Sequence, residues 1–243
     1  MPDGTVATLP IAETFRSIQG EGVLVGVPSF FIRVSGCNLR CGWCDTPYAS
    51  WSPEGRARSI DELAAEATAS GVGHVVLTGG EPMLFDAIEP LSGQLRARGM
   101  HITIETAGTI HRGPDRLACD LMSLSPKLAS SAPSADDPRD PDGRWRARHE
   151  ATRHDLAPVQ RLIDDYLARQ LKFVVTSPAD LDEIDEVLDR LTSWSPSEVL
   201  LMPEGVVAPA PGQHDWVIDA CAHRGWRYCP RVHITLFGNT RGT

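Results

Sequence analysis

The sequence predicts an α/β fold, a partial (incomplete) TIM-like barrel of about six mostly parallel strands. Two observations carry this. Short runs rich in β-branched and aromatic residues, bounded by Gly, Pro or Asp, alternate with stretches of helical apolar spacing along most of the chain. Such alternation builds parallel strands joined by right-handed crossovers, and about six strands fall short of the eight in a full barrel. Composition agrees: 243 residues with 42% hydrophobic and 23% charged residues suit a folded chain with one substantial core. No internal repeat or long linker divides it, so residues 1–243 are expected to form a single domain.

The first strand is Pro28 to Val34, an apolar run between Gly26 and Gly36. Ser59, with Glu62 three positions on, makes a capping box for a helix reaching about Ser70, whose apolar face is Ile60, Leu63, Ala64 and Ala67. There follow a strand from His74 to Thr78, a helix from Met83 to about Arg98, and strands from His101 to Glu105 and Leu121 to Leu124. The later half reads as a strand from Leu171 to Val175, a helix from Asp180 to Arg190, a strand from Val199 to Met202 and a helix from His214 to Arg224. Ser130 to Pro158 breaks the rhythm. It is dense in Pro, Asp, Arg and Ser, with Trp145 alone among charges, and reads as a mobile surface loop running into a helix near Pro158 to Ala168.

A formal net charge of -9 and a pI near 5.3 give no basic footprint for nucleic acid, leaving a small molecule or a protein as partner. Met1 to Thr14 lacks a cationic segment followed by an apolar run, and no apolar stretch approaches membrane-spanning length. A cytoplasmic protein with no membrane association is the expectation.

Chemistry concentrates in Cys37-Asn-Leu-Arg-Cys41-Gly-Trp-Cys44, a loop starting where the first strand ends. In α/β folds that is where active sites gather. Iron–sulfur clusters take thiolate ligands, normally four, so three cysteines on one loop leave one iron free to bind a small molecule. The same three residues also suit a zinc site completed by His74, His101 or His233, or three buried thiols. A second motif, Thr78-Gly-Gly-Glu-Pro82, follows a strand directly, and its glycines let the backbone approach a ligand. His149 and His154 read as solvated, and Cys119, Cys221 and Cys229 as buried thiols.

The text from Phe30 to Asp45, with the glycine motif, resembles the radical S-adenosylmethionine superfamily. The resemblance implies a radical SAM core in which Cys37, Cys41 and Cys44 hold a 4Fe-4S cluster and S-adenosylmethionine chelates the open iron, yielding a 5'-deoxyadenosyl radical. Phe15-Arg-Ser-Ile-Gln-Gly-Glu-Gly22, Cys44-Asp45-Thr46, Glu105-Thr-Ala-Gly108, Ser123-Leu-Ser-Pro-Lys127, Leu171 to Val175 and Phe237-Gly-Asn239 narrow it to the 7-carboxy-7-deazaguanine synthase family. That family turns 6-carboxy-5,6,7,8-tetrahydropterin into 7-carboxy-7-deazaguanine with loss of ammonia, using S-adenosylmethionine catalytically and magnesium (Mg2+) as helper.

By this resemblance Ile18, Gln19, Gly20, Arg33 and Thr78 bind the pterin, and Thr46 binds magnesium. Trp43, Cys44, Asp45, Gly80, Ser125, Pro126 and Lys127 surround S-adenosylmethionine, with Glu105 a weaker candidate and His233 assigned to packing. It also implies a flavodoxin or ferredoxin reductant and a homodimer. Two other readings remain at this point: a glycyl-radical-enzyme activase with the same cysteine spacing, and a non-catalytic zinc or iron–sulfur protein.

Overall fold

A computed structural model describes residues 7–243. The expectation about Met1 to Thr14 therefore falls partly outside the described residues. One nine-stranded sheet runs in the order β3-β1-β2-β4-β5-β6-β7-β8-β9. Its strands are β1 (Thr8–Ile18), β2 (Pro28–Val34), β3 (Arg56–Ser59), β4 (His74–Gly79), β5 (His101–Thr106), β6 (Leu121–Leu124), β7 (Arg169–Val175), β8 (Val199–Pro203) and β9 (Arg227–Tyr228). From β2 to β9 every pairing is parallel, whereas β1 joins β2 and β3 antiparallel. The order does not close on itself, as expected of a partial barrel, and the six strands read from sequence are its parallel centre.

Helices α1 (Ile60–Ala69), α2 (Ile88–Ala97), α3 (Arg144–Arg153), α4 (Ala157–Asp165), α5 (Asp180–Asp189), α6 (Asp215–Arg224) and α7 (Val232–Phe237) complete the chain. The expected capping box of α1 is present: Glu62 N–H donates to Ser59 Oγ at 3.2 Å, and Ser59 N–H to Glu62 Oε2 at 3.1 Å. Two orphan donors are thereby satisfied.

Strand residues alternate between two environments. Ile32, Val34, Val75, Leu77, Ile102, Ile104, Leu171, Phe173 and Leu201 point outward and form one core with apolar faces of the helices, such as Leu63, Leu91, Leu162 and Ile184. Burying a side chain of this size contributes roughly 1.5–3 kcal/mol. The opposite, inner face carries Arg33, Thr78, Glu105, Ser123, Gln170 and Lys172, so polar chemistry lines the inside.

Three departures from expectation have physical reasons. The helix expected from Met83 starts only at Ile88, because Pro82–Leu84 forms a 3-10 turn whose Met83 carbonyl accepts from Arg112 Nε at 2.9 Å rather than from the next helical turn. Residues 130–158, expected to begin as a mobile loop, contain α3, whose first-turn N–H groups of Trp145 and Arg146 are taken by the Asp140 carboxylate; the helix expected near Pro158 to Ala168 is α4. His149, expected to be solvated, is 1% exposed: its Nδ1 accepts from Arg40 N–H at 3.2 Å and its Nε2 faces Ser131 Oγ at 2.8 Å. Cys221 and Cys229 are buried, and Cys119 partly so.

Candidate active site

A cavity of about 460 Å³ opens on the inner face of the sheet, within the usual range for ligand pockets. The cysteine loop roofs one end. Cys37, Cys41 and Cys44 all line it, with Leu39 and Trp43 of the same loop, while Arg40 is buried outside the cavity lining. Burial pushes the thiols of Cys37 and Cys41 up to about 12, and their neighbouring thiols, once ionised, reinforce that shift. Ligating thiolates in that position need a compensating cation. Among the described residues no three His, Cys, Asp or Glu side chains converge to hold a single metal ion. Of the histidines considered for zinc, His74 is held between Ser29 and Thr103 with His101 edge-on to its ring, while His233 packs on Gly20 in the cavity wall. Three thiols on one loop, Cys41 buried and Cys37 and Cys44 half-buried, all facing one cavity, are a ligand set suited to an iron–sulfur cluster with one iron left open.

Beside the cysteine loop runs the glycine turn after β4. A Cβ on Gly80 would lie 2.1 Å from the Gly36 carbonyl oxygen and 2.6 Å from that of Ala49, so only glycine lets this backbone cross the loop. Glu81, fully buried, accepts from Met83 N–H, Thr106 Oγ1 and Ala107 N–H at 3.0, 2.8 and 2.9 Å, tying the ends of β4 and β5 together. Burial raises its pKa, which these donors oppose. Trp43, Ser125 and Lys127 close the same end; Lys127 Nζ sits 2.9 Å from Ser125 Oγ and 5.9 Å from the Trp43 ring centre. Pro126 is buried and lines a separate small depression instead.

The interior carries a polar row in register across six strands. Glu13 faces Arg33, which faces Thr78; Glu105 faces Ser123, which faces Gln170. Glu105 accepts from Gln19 Nε2 at 3.0 Å and from Thr78 Oγ1 at 2.8 Å, joining the two halves of the row. Glu13 accepts from Arg33 Nε at 2.8 Å and from Tyr48 Oη at 2.7 Å. Thr46 Oγ1 lines the cavity 3.7 Å from Cys44 Sγ. At the far end Lys172 and Arg231 both pair with Glu21, and Arg231 also pairs with Asp45. Burial opposes ionisation of Glu21, but Lys172 and Arg231 outweigh it and hold its pKa far below the usual carboxylate range.

The radical SAM superfamily model matches residues 31–194. A 7-carboxy-7-deazaguanine synthase of Rhodopirellula baltica is 48% identical over 238 residues, 98% of this chain and 90% of its own. The chain belongs to the 7-carboxy-7-deazaguanine synthase family. A second synthase, from Halobacterium salinarum, is 45% identical over 247 residues, covering 99% of this chain and 95% of its own. The crystal structure of QueE from Escherichia coli superposes with a TM-score of 0.68 at 27% identity, covering 93% of this chain and 95% of that one. A member of this family uses a 4Fe-4S cluster and S-adenosylmethionine.

For a 7-carboxy-7-deazaguanine synthase, the residues singled out in the sequence are brought to one place: of the fifteen positions named, all but Pro126 line the cavity. Sequence reasoning missed Glu13, Tyr48, Lys172 and Arg231, and left Glu21 inside a quoted motif without a role. Lys172 carried a usable mark, being a lysine in the middle of a buried strand where an unpaired charge is untenable. His233, assigned to packing, packs its ring on Gly20 and also lines the cavity.

Proposed function

We propose that this chain, acting as a single radical SAM domain, converts 6-carboxy-5,6,7,8-tetrahydropterin to 7-carboxy-7-deazaguanine with loss of ammonia. The observation that carries the reading is the enclosure of the three thiols, the glycine turn and the interior polar row by one cavity, in a chain of this family. A cluster on Cys37, Cys41 and Cys44 with S-adenosylmethionine supplies hydrogen-atom abstraction when bound.

The chain's own residues bind, orient and exclude water. Gly80 presents backbone to the cofactor, while Trp43, Ser125 and Lys127 wall it in, Lys127 suited to a carboxylate. Cys44 and Asp45 complete that wall, and Pro126 supports it from behind. Below, Gln19, Thr78 and Glu105 form a hydrogen-bonded ladder matched to the donors and acceptors of a pyrimidine edge, with Ile18 and Gly20 against the ring. Arg33 offers a cation to the substrate carboxylate, its direction fixed by Glu13 and the Phe15 ring 5.9 Å away. Thr46 gives one hydroxyl to magnesium, a hard cation that keeps waters and substrate oxygens as its other ligands. A flavodoxin or ferredoxin as reductant, a homodimer and a cytoplasmic location belong to the same reading. Among the described residues no helix is long and apolar enough to cross a membrane.

Reconstituted protein incubated anaerobically with the carboxytetrahydropterin, S-adenosylmethionine, magnesium and reductant should form 7-carboxy-7-deazaguanine, identified by mass. Cys41→Ala should abolish both the cluster absorbance and the product. No product from a fully loaded wild type, or undiminished turnover by Cys41→Ala, would overturn the proposal.

A further inference from the structure

Residues 130–153 fold over the outer side of the cysteine loop, and their contacts converge on its middle. Ser131 O accepts from Gly42 N–H at 2.9 Å, Ser130 O from Trp43 Nε1 at 3.0 Å, and Arg139 Nη2 donates to Gly42 O at 2.8 Å. From the other side His149 takes the Arg40 backbone N–H, and Trp145 lays its ring 4.0 Å from the Arg40 guanidinium carbon. Arg40 stands between Cys37 and Cys41, is 8% exposed, and donates to the carbonyls of Cys37 and Leu39, both at 2.7 Å.

Its charge is unusual for a buried arginine. Arg139, which reaches the same loop at Gly42, pairs with Asp137, but among the described residues no carboxylate lies within ion-pair distance of Arg40. A buried arginine normally has a carboxylate partner. Here two carbonyl oxygens accept from Nη1 and a tryptophan face covers the guanidinium, which leaves the positive charge uncancelled at the loop that carries the thiolates.

We propose that Arg40, seated by Trp145 and His149, is a positioning residue that holds the cysteine loop in its ligating shape and raises the reduction potential of the cluster bound there. The proposal rests on the functional reading above. A three-thiolate cluster becomes more negative when it accepts one electron from an external reductant, so a fixed, poorly solvated cation nearby favours the reduced state. Charge and hydrogen bonding around the sulfurs are among the means by which a protein tunes such a cluster. The segment that sequence reading took for a mobile loop thus supplies the seat of a charge.

The test compares anaerobically reconstituted wild type with Arg40→Gln, Arg40→Lys and Trp145→Ala, by redox titration followed by electron paramagnetic resonance and by the rate of iron release to a chelator. Arg40→Gln should lower the reduced-to-oxidised ratio at fixed potential on the order of tenfold, about 59 mV for a one-electron couple. Arg40→Lys should keep the wild-type potential yet release iron several-fold faster, having lost the stacked fork. Trp145→Ala should release iron faster and shift the potential in the same direction as Arg40→Gln by less. A loaded Arg40→Gln with the wild-type potential overturns the electrostatic role, and wild-type iron release from Trp145→Ala overturns the seating. If Arg40→Gln fails to hold a cluster that Arg40→Lys holds, the need for charge is supported; if neither loads, the Trp145→Ala potential decides. A wild type that binds no iron–sulfur cluster would refute the functional reading instead.

Discussion

Glu21→Gln removes one charge from the far end of the cavity while keeping the side chain's shape. Glu21 is 14% exposed at its side chain, Lys172 6% and Arg231 12%, so all three are largely withdrawn from water. Two unit charges about 4 Å apart attract by about 4 kcal/mol at an effective dielectric near 20. Part of this is cancelled by the cost of drying the ions, and breaking a buried pair by deleting one partner is typically worth about 3–5 kcal/mol. After the change, Lys172 loses its hydrogen-bonded partner and keeps Glu105 as the remaining carboxylate acting on it. We expect a loss of about 3 kcal/mol, a large share of the roughly 5–15 kcal/mol that holds a domain folded. The assay is urea unfolding of the apoprotein in a cycle with Lys172→Met and the double variant. Coupling above about 2 kcal/mol is expected for residues in contact.

The pH dependence follows from the directions of the shifts. The folded pKa of Glu21 lies below its ordinary 4.5, so its contribution is present above that value and is lost as pH falls further. The pKa of Lys172 is raised from 10.5, burial opposing and Glu21 then Glu105 prevailing, so its contribution is present below that value and fades above it. The difference between wild type and Glu21→Gln should therefore be widest between these limits. A cost under about 1 kcal/mol, or strictly additive single changes, would refute the claim that these charges depend on one another.

Gly80→Ala should weaken S-adenosylmethionine binding to the reconstituted protein at least tenfold, about 1.4 kcal/mol, measured by equilibrium dialysis, because the added Cβ meets the Gly36 and Ala49 carbonyls. Burial lowers the pKa of His149 to about 4 from 6.5, so the unfolded chain binds the extra proton first. Stability should fall as pH drops from about 6.5 towards 4, and His149→Gln should flatten that part of the urea-midpoint profile. Phe173→Ala, at a fully buried outward-facing position, should cost about 3–5 kcal/mol in the same unfolding assay while leaving the cavity lining intact.

What was legible in the sequence followed from how each element is stabilised. The six parallel strands pack apolar side chains outward, so their runs stood out, and α1 announced itself through Ser59 and Glu62. β1 did not, because Glu13, Thr14 and Ser17 interrupt its apolar run, and the cavity uses Glu13. β3 is Arg-Ala-Arg-Ser, an edge strand with β1 as its one partner strand and no apolar run of its own. α3 buries a histidine rather than an apolar stripe, so helical periodicity had nothing to register. In the site, contiguous motifs such as Cys37 to Cys44 were readable. Charge networks such as Glu21 with Lys172 and Arg231, assembled from residues as much as 210 positions apart, were not.

The register row from Glu13 to Gln170 has a consequence for how this scaffold could diversify. Its polar groups project from rigid strands whose reverse faces are locked into the core, so the recognition surface shifts only if the sheet does. Exchanging surface segments, the easy route to new ligands in many α/β enzymes, would here alter access and the loop contacts while leaving this row in place. A change in the part of the ligand that this row reads has to be written into the strands themselves, one inward position at a time.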